Sequence, residues 1–464
     1  MHPKGTLRLG LKPSSTRRLL WPRQRIVNRF NNQKASHYSS LLWMRRKRRK
    51  HLGFKPHAIG VTNIAGSPGD ANILINSEAP PHTYRAIHFL RISRSFNLYN
   101  IKDQHSAPRF AMATMKAVGV AEYGPVDNFE SRNVPRPGKP TGRDVLVKVQ
   151  ACSVNPIDVK IRSGIYDDAP DYYKHAPKGF HIIGYDGAGT ILEVGPECKF
   201  FKPGDEISYV GASTRQGSYS EYQLVGEFQC TLKPKSLDFV QAASFGLTFG
   251  TAYQSLHHRL EIKPNENVGI LIINGAGGVG SAAIQLARNV LNLPVVVATA
   301  SRPETMDFCK KNGATHIINH RKDLVEQIKD LNLSVPIKYA YVLANTEQYV
   351  DAIAKICAPF GKACTIVQAD VSLYGTDFMS KSMTFAWDWL GSAAYHHTNL
   401  ESYREMFGTI ARLMDEKKLV PTLGKRYKLT LAGLKEAHRQ VESKTTIGKV
   451  GLGINEPGEG APFA

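Results

Sequence analysis

A glycine-rich turn between an apolar strand and a helix constrains the fold of this chain more than any other feature. A strand is predicted over residues 268–273 and a helix over residues 281–291, and the turn between them contains Gly275, Gly277 and Gly280. In this G-x-G-x-x-G spacing the first glycine permits a tight turn, the second lets the backbone approach a pyrophosphate, and the third allows the helix to pack against the strand. The pattern predicts a dinucleotide site, the alternative being a glycine turn with a purely structural role.

The amide groups at the start of that helix would face the phosphates of a bound dinucleotide. The predicted phosphate-binding residues are therefore Gly275, Gly277, Gly278, Val279 and Gly280. Strands and helices alternate after the turn, which predicts right-handed βαβ units and a parallel sheet. Before it, short strands are broken by Gly and Pro, which predicts a compact β domain. The predicted fold class is α/β, with a β domain followed by a doubly wound, Rossmann-type nucleotide-binding domain.

The residues after the second and third strands of the nucleotide domain indicate which dinucleotide binds. An NAD site usually has Asp or Glu about 20 residues beyond the glycines, whereas this chain has Ser301 and Arg302 there. A carboxylate repels a 2′-phosphate, but a serine hydroxyl and a guanidinium bind it. His320 and Arg321, at the end of the next strand, could add a second cation at the adenosine side. The predicted cofactor is NADPH (NADP), the alternative for Arg302 and Arg321 being ordinary solvated arginines.

The formal net charge of +21 is concentrated at the amino terminus. Residues 1–110 hold 21 Lys and Arg against 3 Asp and Glu, and the rest of the chain carries only +3. Residues 1–112 are therefore predicted to be a basic extension: a transit-like segment, a disordered tail, or an overlong start upstream of Met112 or Met115. The expected location is cytoplasmic, or mitochondrial if the extension is a transit segment. No nucleic-acid partner is expected because the charge lacks interleaved aromatic residues, and no apolar stretch approaches the roughly 20 residues of a membrane span.

Several further motifs accompany the glycine turn in a fixed order. They are NPID at 155–158 with KIRSG at 160–164, IGYDGAG at 183–189, FKPGD at 201–205, GSYSEY at 217–222, LTFGTAY at 247–253 and IGKV at 447–450. On these motifs the chain, from Met115 onward, resembles the medium-chain dehydrogenase/reductase superfamily. Within it, the resemblance is to the quinone-oxidoreductase branch and to the proteins called zinc-type alcohol dehydrogenase-like.

The resemblance implies a GroES-like β domain, an inserted nicotinamide-nucleotide domain and a last segment that returns to the first domain, with the active site in the cleft between them. The predicted divisions are the extension at 1–112, a GroES-like catalytic domain at 113–235, a Rossmann NADP-binding domain at 236–380 and a returning carboxyl-terminal segment at 381–464. A homodimer or homotetramer is also an expectation from the resemblance, because no feature of the sequence itself requires one.

The term "zinc-type" can be tested residue by residue. A catalytic zinc needs about three Cys, His, Asp or Glu ligands and an open position. In zinc-dependent relatives one cysteine ligand falls where this chain has Asn155, and a His-Glu pair falls at Tyr185 and Asp186. Asn and Tyr are not customary zinc ligands, and the four-cysteine lobe of a structural zinc is absent from the sequence. Zinc is therefore not expected, in spite of the family's name.

Without a metal, the feasible reaction is hydride transfer from NADPH to an acceptor that is already electrophilic, such as a quinone or an α,β-unsaturated carbonyl. The resemblance places Asn155 near the nicotinamide and the acceptor oxygen, and Thr248 close to the nicotinamide. Tyr185 is the candidate hydrogen-bond donor or proton source, the alternative being a tyrosine that packs the cleft wall. Tyr172 and Tyr173 could line the acceptor pocket or lie in a loop without a chemical role.

The predicted function is an NADPH-dependent, zinc-independent oxidoreductase that acts on a small carbonyl or quinone acceptor. The alternatives are a zinc-dependent alcohol dehydrogenase and a non-enzymatic NADPH-binding module. Asp158 and Asp186 are interpreted as hydrogen-bonding groups of the scaffold. The aromatic residues at 385–389 and 395–397 could cap an apolar acceptor, although such clusters more often belong to a core.

Overall fold

The computed structural model describes residues 113–166 and 172–464. The predicted basic extension at 1–112 lies outside the described residues, and so does the segment on which the predicted cellular location depends. In the part of the chain that the structure describes, no helix has both the length and the apolar character needed to cross a membrane.

The first part of the described chain consists of short strands with two small helices. The elements are β1 (Thr114–Val120), β2 (Phe129–Pro135), β3 (Asp144–Val154), α1 (Pro156–Arg162), α2 (Tyr172–His175), β4 (Asp186–Val194), β5 (Glu206–Val210), β6 (Tyr222–Gly226) and β7 (Cys230–Leu232). Two single turns of 3₁₀ helix also occur, at Val126–Asn128 and Glu227–Gln229.

The second part alternates helices and strands. Its elements are α3 (Phe239–Ala242), α4 (Gly246–Gln254), β8 (Gly269–Ile273), α5 (Gly278–Gln285), β9 (Val295–Thr299), α6 (Pro303–Lys311), β10 (His316–Ile318), α7 (Leu324–Asp330), β11 (Ile337–Val342), α8 (Thr346–Ile356), β12 (Lys362–Thr365), β13 (Thr384–Trp387), α9 (Ser392–Tyr395) and α10 (Glu401–Asp415). The chain then forms β14 (Leu423–Lys428), α11 (Leu431–Glu442) and β15 (Lys449–Gly453). Helices α4 and α5 each continue into a turn of π-helix, at Ser255–Arg259 and Leu286–Val290.

Strands β8 to β13 form one parallel sheet in the order β10-β9-β8-β11-β12-β13. Every residue of β8 and β9 is buried, as expected for strands covered by helices on both faces and rich in Val and Ile. The strand order reverses beside β8, and ligands bind at such a reversal, outside the carboxyl ends of the strands. The topology confirms the predicted doubly wound sheet.

The other large sheet has the order β14-β15-β3-β4-β5-β7, with β6 also paired to β3. Strand β15 comes from the end of the chain and runs antiparallel to β3, so that Val450 lies opposite Val154. The carboxyl-terminal segment therefore returns to the first sheet, which brings Lys449 beside the end of β3. Strands β1 and β2 form a separate antiparallel pair.

The predicted division at residue 380 falls too early. Strand β13 pairs in parallel with β12 as the sixth strand of the nucleotide sheet, and α10 then packs against α4. The nucleotide sheet therefore extends to β13, and α10 packs against both α4 and β7. The sequence pattern did not mark β13 as a strand because Phe385 and Trp387 replace the aliphatic run found in β8 and β9.

Candidate active site

The glycine turn has the close packing that its spacing predicts. A Cβ added to Gly275 would lie 2.8 Å from Cβ of Ala298, and one added to Gly280 would lie 2.3 Å from the carbonyl oxygen of Asn274. Side chains at these two positions would push the turn away from the sheet. At Gly277 an added Cβ would approach only Asn274, at 3.3 Å, so its outer side is open to a ligand.

The start of α5 provides hydrogen-bond donors beside this open side. Gly277 is the N-cap of α5 and has no side chain to occupy the first amide groups. The parallel bridge of Gly277 with Gly448 directs the Gly278 N–H toward the Gly448 carbonyl. The N–H groups of Val279 and Gly280, by contrast, lie in the first turn, where a helix offers no acceptor of its own. Free amide groups and the positive end of a helix dipole bind phosphate. The residues present therefore fit a dinucleotide pyrophosphate.

The returning carboxyl-terminal segment closes over the glycine turn. The backbone N–H of Gly448 donates to the carbonyl of Ala276 at 2.9 Å. Gly448 has a φ of +66°, and a Cβ there would lie 2.0 Å from the carbonyl oxygen of Thr422, so only glycine fits. The next residue, Lys449, lays its aliphatic stem along Gly278. The stem of Lys449 thus contacts the predicted phosphate loop, and its ammonium reaches Asn155 and Asp186 in the sheet to which β15 belongs.

Four side chains, Ser153, Asn155, Asp186 and Lys449, form a buried cluster that we call the polar centre. The Lys449 ammonium donates to Oδ1 of Asn155 at 2.5 Å and to Oδ2 of Asp186 at 3.2 Å. The same Asp186 oxygen accepts from Nδ2 of Asn155 at 2.9 Å and from Oγ of Ser153 at 2.8 Å. Its other oxygen accepts from the backbone N–H of Leu247 at 2.8 Å. All four side chains are at most 3% exposed, so this is a desolvated ion pair with its hydrogen bonds satisfied.

Asp158 joins the two sequence segments that carry Asn155 and Tyr185. Asn155 precedes α1 as its N-cap, and its backbone N–H donates to Oδ2 of Asp158 at 2.6 Å. The backbone N–H of Tyr185 donates to Oδ1 of the same carboxylate at 3.1 Å. Burial raises the pKa of Asp158 to about 7, although the hydrogen bond from Asn155 and the charge of Lys449 oppose that rise. Asp158 therefore fixes the positions of both predicted site residues.

Tyr185 and Tyr172 are buried and share a hydrogen bond between their hydroxyl groups. Burial raises the pKa of both phenols, and that of Tyr185 lies well above its ordinary value of 10. Tyr185 is therefore a neutral hydroxyl at physiological pH, able to donate a proton or a hydrogen bond. Thr248 is also buried, and its methyl group faces Gly278. The fold thus brings Asn155, Tyr185 and Thr248 into one region beside the glycine turn.

Aromatic side chains from the two parts of the molecule meet beside Tyr172. The His175 ring, on α2, lies 5.8 Å from the Tyr395 ring, on α9, in an edge-to-face arrangement. Tyr395 also contacts Trp389 at 5.5 Å. No residue of α9 is buried, and Trp387 is 49% exposed. These aromatic residues therefore lie mainly at the surface and at the contact between the two parts.

The four residues predicted to bind adenosine form what we call the adenosine edge: Ser301, Arg302, His320 and Arg321. They follow β9 and β10, which are paired in parallel, so both loops lie at the carboxyl end of the sheet. Nε of Arg302 lies 2.9 Å from a Glu304 carboxylate oxygen, and one Nη donates to the Thr445 carbonyl at 3.0 Å. Burial, and then the neighbouring Arg321, lower the pKa of His320. The adenosine edge is far more exposed than the polar centre.

The residues at the expected zinc position do not fit a zinc ion. Among the described residues, no group of three or more His, Cys, Asp or Glu side chains could hold a metal. Asn155 and Tyr185, at the positions where the resemblance leads us to expect zinc ligands, are not customary ligands, and both oxygens of Asp186 already accept hydrogen bonds. The ammonium of Lys449 also lies 3.2 Å from that carboxylate and would repel a divalent cation.

Lys449 is the site residue that sequence reasoning missed. It was visible only as part of the closing motif at 447–450. A lysine in an otherwise apolar strand, directly after a glycine, was a signal, because a buried lysine needs a partner. Its partners lie 263 and 294 residues away in the chain, so only the pairing of β15 with β3 identifies them.

Comparison with known proteins places this arrangement in a family. Residues 141–235 match the model of the alcohol dehydrogenase GroES-like domain, and residues 312–451 match that of the zinc-binding dehydrogenases. The chain is 35% identical to a zinc-type alcohol dehydrogenase-like protein of Staphylococcus epidermidis, over 73% of this chain and 100% of that protein. It is 30% identical to human quinone oxidoreductase, over 70% of this chain and 94% of that protein.

A solved structure of a similar protein supports the same family assignment. A putative zinc-dependent alcohol dehydrogenase of Rhizobium etli superposes with a TM-score of 0.68 at 36% identity, covering 75% of this chain and 99% of that chain. The matched GroES-like region confirms the predicted identity of the β domain. The chain therefore belongs to the medium-chain dehydrogenase/reductase superfamily, a group of oxidoreductases that use a nicotinamide cofactor and that includes the zinc-type alcohol dehydrogenase-like proteins and the quinone oxidoreductases.

Proposed function

We propose that this protein is an NADPH-dependent reductase of quinones or α,β-unsaturated carbonyl compounds that works without catalytic zinc. The observation that carries the proposal is the polar centre. The Lys449 ammonium is bonded to Asn155 and Asp186, two of the residues at the positions where the resemblance leads us to expect zinc ligands. Such a centre leaves no place for a divalent Lewis acid, so the acceptor must be electrophilic through its own conjugation.

Each predicted residue then has a distinct task. NADPH, when bound, supplies the hydride. The amide groups of the glycine turn hold the pyrophosphate, and Thr248 packs against that turn at Gly278. Asn155 orients the acceptor oxygen through its side-chain amide. Excluding water from this buried region strengthens these polar interactions.

The proton that accompanies the hydride comes from Tyr185 in this proposal. The acceptor carbon gains a hydride, and the acceptor oxygen takes the phenolic proton, which yields an enol that tautomerises to the saturated carbonyl or, from a quinone, to the hydroquinone. Tyr172 stabilises the resulting phenolate through the hydroxyl contact and passes on a proton from solvent. The raised pKa of Tyr185 keeps its proton in place until negative charge develops on the acceptor.

The choice of NADPH over NADH depends on the adenosine edge. Arg302 has five N–H donors, of which Glu304 and the Thr445 carbonyl engage two. The remaining donors, with the hydroxyl of Ser301, suit a 2′-phosphate. His320 and Arg321 supply further positive charge from the adjacent loop.

The experiment that tests the proposed function is NADPH oxidation against a panel of quinones, enones and saturated ketones. We expect turnover with the conjugated acceptors alone, unchanged by chelator. Activity on simple alcohols with one zinc per chain would favour an alcohol dehydrogenase. NADPH binding without turnover across the panel would favour a non-enzymatic binding module.

A tyrosine pair provides the matched variants for the proton source. Tyr185→Phe should lower kcat by about a hundredfold or more, the usual contribution of a positioned acid. Tyr341→Phe is the control, because that hydroxyl is equally buried but donates to Ser255 at 2.8 Å within the nucleotide domain. Equal activity of the two variants would remove Tyr185 from the mechanism.

We also propose that the protein forms a homodimer through the free edge of the nucleotide sheet. Strand β13 is the last strand of that sheet and pairs with β12 on one side. Trp387 on β13 is 49% exposed, and Tyr374 and Met379 in the preceding loop are 97% and 92% exposed. Light scattering on the purified protein distinguishes a dimer from a monomer or tetramer, and Trp387→Lys should shift a dimer toward the monomer.

The cellular location is proposed to be cytoplasmic, or mitochondrial if residues 1–112 act as a transit segment. The argument rests on the charge of that segment alone. Amino-terminal sequencing of the native protein from separated mitochondrial and cytoplasmic fractions decides between the two, because a start near Met112 would result from cleavage of a transit segment or from an internal translation start.

A further inference from the structure

We propose that Lys449 is a positioning residue that acts through Asn155, linking the cofactor loop to the group that orients the acceptor. The inference rests on the proposed function, because it assigns Lys449 to the same reaction. Lys449 belongs to the returning strand β15, and none of the family motifs considered above gives it a role. Its ammonium contacts Val154, Asn155 and Asp186, at the ends of β3 and β4 in the same sheet, while its stem contacts the glycine turn of the nucleotide domain.

The ammonium has three hydrogen atoms and three acceptors. They are the carbonyl oxygen of Val154 at 3.2 Å, Oδ1 of Asn155 at 2.5 Å and Oδ2 of Asp186 at 3.2 Å. With each hydrogen matched to an acceptor of the protein, none remains for a substrate. Lys449 therefore does not touch the reacting atoms, and its influence passes through the groups that it holds.

Asn155 is the group whose orientation Lys449 determines. An ammonium can only donate, so the side-chain atom of Asn155 that faces it must be the oxygen. The amide nitrogen is then turned toward Asp186, to which it donates at 2.9 Å. That bond uses one of its two hydrogens, and the second remains for the acceptor oxygen. Lys449 and Asp186 together thus select one of the two amide orientations.

The link to the cofactor loop comes from close packing along the lysine stem. A Cβ on Gly278 would lie 3.0 Å from Cδ of Lys449 and 2.9 Å from the Thr248 methyl group. The bond from Gly448 to Ala276 holds the start of β15 against the same turn. The position of the glycine turn and that of Asn155 are therefore coupled through Lys449.

The test compares Lys449→Met with Lys381→Met. Lys381 is a matched lysine because its ammonium also has three acceptors, the carbonyls of Ala354, Lys355 and Cys357 at 2.7 to 2.9 Å, but lies at the end of α8. Lys449→Met should lower kcat about tenfold to a hundredfold, the effect of misplacing a reacting group. Its Kd for NADPH, measured by fluorescence titration, should stay within about threefold of wild type. Lys381→Met should lose stability and keep kcat.

A double-mutant cycle shows whether Lys449 acts through Asn155. Residues that act as a unit give non-additive effects. Adding Lys449→Met to Asn155→Ala should therefore lower kcat no further than Asn155→Ala alone. If the two substitutions together lowered kcat by the product of their separate factors, the proposal would be overturned. A change confined to the Kd for NADPH would also overturn it. If Lys449→Met does not fold, Lys449→Met with Asp186→Asn removes the unpaired buried charge and enters the same cycle.

A crystallographic comparison is independent of turnover. In the NADPH complex of Lys449→Met, the Asn155 side chain should leave the position that it has in the wild-type complex, and an unmoved side chain would contradict the proposal. If the wild-type protein reduces no acceptor in the panel, the proposed function fails, while this measurement still decides the role of Lys449.

Discussion

The polar centre and the adenosine edge, which we propose serve the nicotinamide and adenosine ends of one cofactor site, are built differently. In the polar centre, Asp186 and Lys449 are at most 3% exposed and each makes three or more hydrogen bonds. At the adenosine edge the Arg302 side chain is 33% exposed, and its carboxylate partner Glu304 is 55% exposed. The first region has one arrangement of partners, and the second can exchange its partners with solvent or ligand.

This difference in burial indicates which residues can be substituted without a large loss of stability. Removing one member of a buried ion pair leaves an uncompensated charge, whereas exposed pairs contribute little. We therefore expect the polar centre to couple stability to function and the adenosine edge to affect cofactor choice alone.

The largest expected change in the free energy of unfolding follows substitution of Asp186. Asp186→Ala leaves the Lys449 ammonium buried without its counter-ion and should lower the free energy of unfolding by about 3–5 kcal/mol. Glu304→Ala breaks an exposed pair and should change it by less than about 1 kcal/mol. Denaturant unfolding of the two variants measures both values. Similar losses in the two variants would show that the regions do not differ as described.

The second effect is the pH dependence of stability caused by His181. This ring is buried, accepts or donates one bond with Tyr123 at 3.0 Å, and has its pKa lowered by burial from 6.5 to about 4. Between pH 6.5 and pH 4 the unfolded chain binds the proton that the folded chain excludes, so stability falls as the pH falls through this window. The shift corresponds to about 3 kcal/mol.

The pH prediction is measured as the difference in unfolding free energy between wild type and His181→Gln. The unfolding free energy of wild type, relative to that of His181→Gln, should fall as the pH is lowered from 7 to 4, because only wild type carries the titrating ring. His320→Gln at the adenosine edge is the control and should show a smaller dependence, since His320 is less buried. A flat difference for His181→Gln would contradict the assignment.

The third effect concerns cofactor choice. Arg302→Glu replaces a guanidinium with a carboxylate and should weaken NADPH binding by about ten- to a hundredfold, as expected for loss of a charged hydrogen bond. NADH binding should change far less, because NADH has no 2′-phosphate. Arg321→Glu tests the adjacent loop in the same titrations. Equal losses for both cofactors would show that Arg302 does not contact the 2′-phosphate.

The comparison also explains what could be predicted from the sequence. The glycine turn was predictable because its chemistry depends on local spacing between Gly275 and Gly280, and strands β8 and β9 carry continuous apolar runs. The doubly wound sheet followed from that pattern. Asn155 and Tyr185 were predicted through two separate family motifs, at 155–158 and 183–189, each of which is a short continuous stretch of sequence.

The remaining features depend on tertiary pairing. Lys449 meets Asn155 only because β15 pairs with β3, and no sequence pattern reports an antiparallel pairing across 294 residues. Strand β13 was missed because its four residues mix aromatic and small side chains. The contact of His175 with Tyr395 joins two short helices whose sequences have no apolar periodicity.

The smallest predicted effect lies outside both regions, at the aromatic contact of His175 on α2 with Tyr395 on α9. Such pairs contribute about 0.5–1.5 kcal/mol, so Tyr395→Ala should raise KM for aromatic quinones a few-fold and leave KM for small enones nearly unchanged. His397→Asn, on the same loop but exposed, is the control. A uniform change across all acceptors would mean that Tyr395 only supports the loop. A change confined to bulky acceptors would extend the site from the polar centre to this contact.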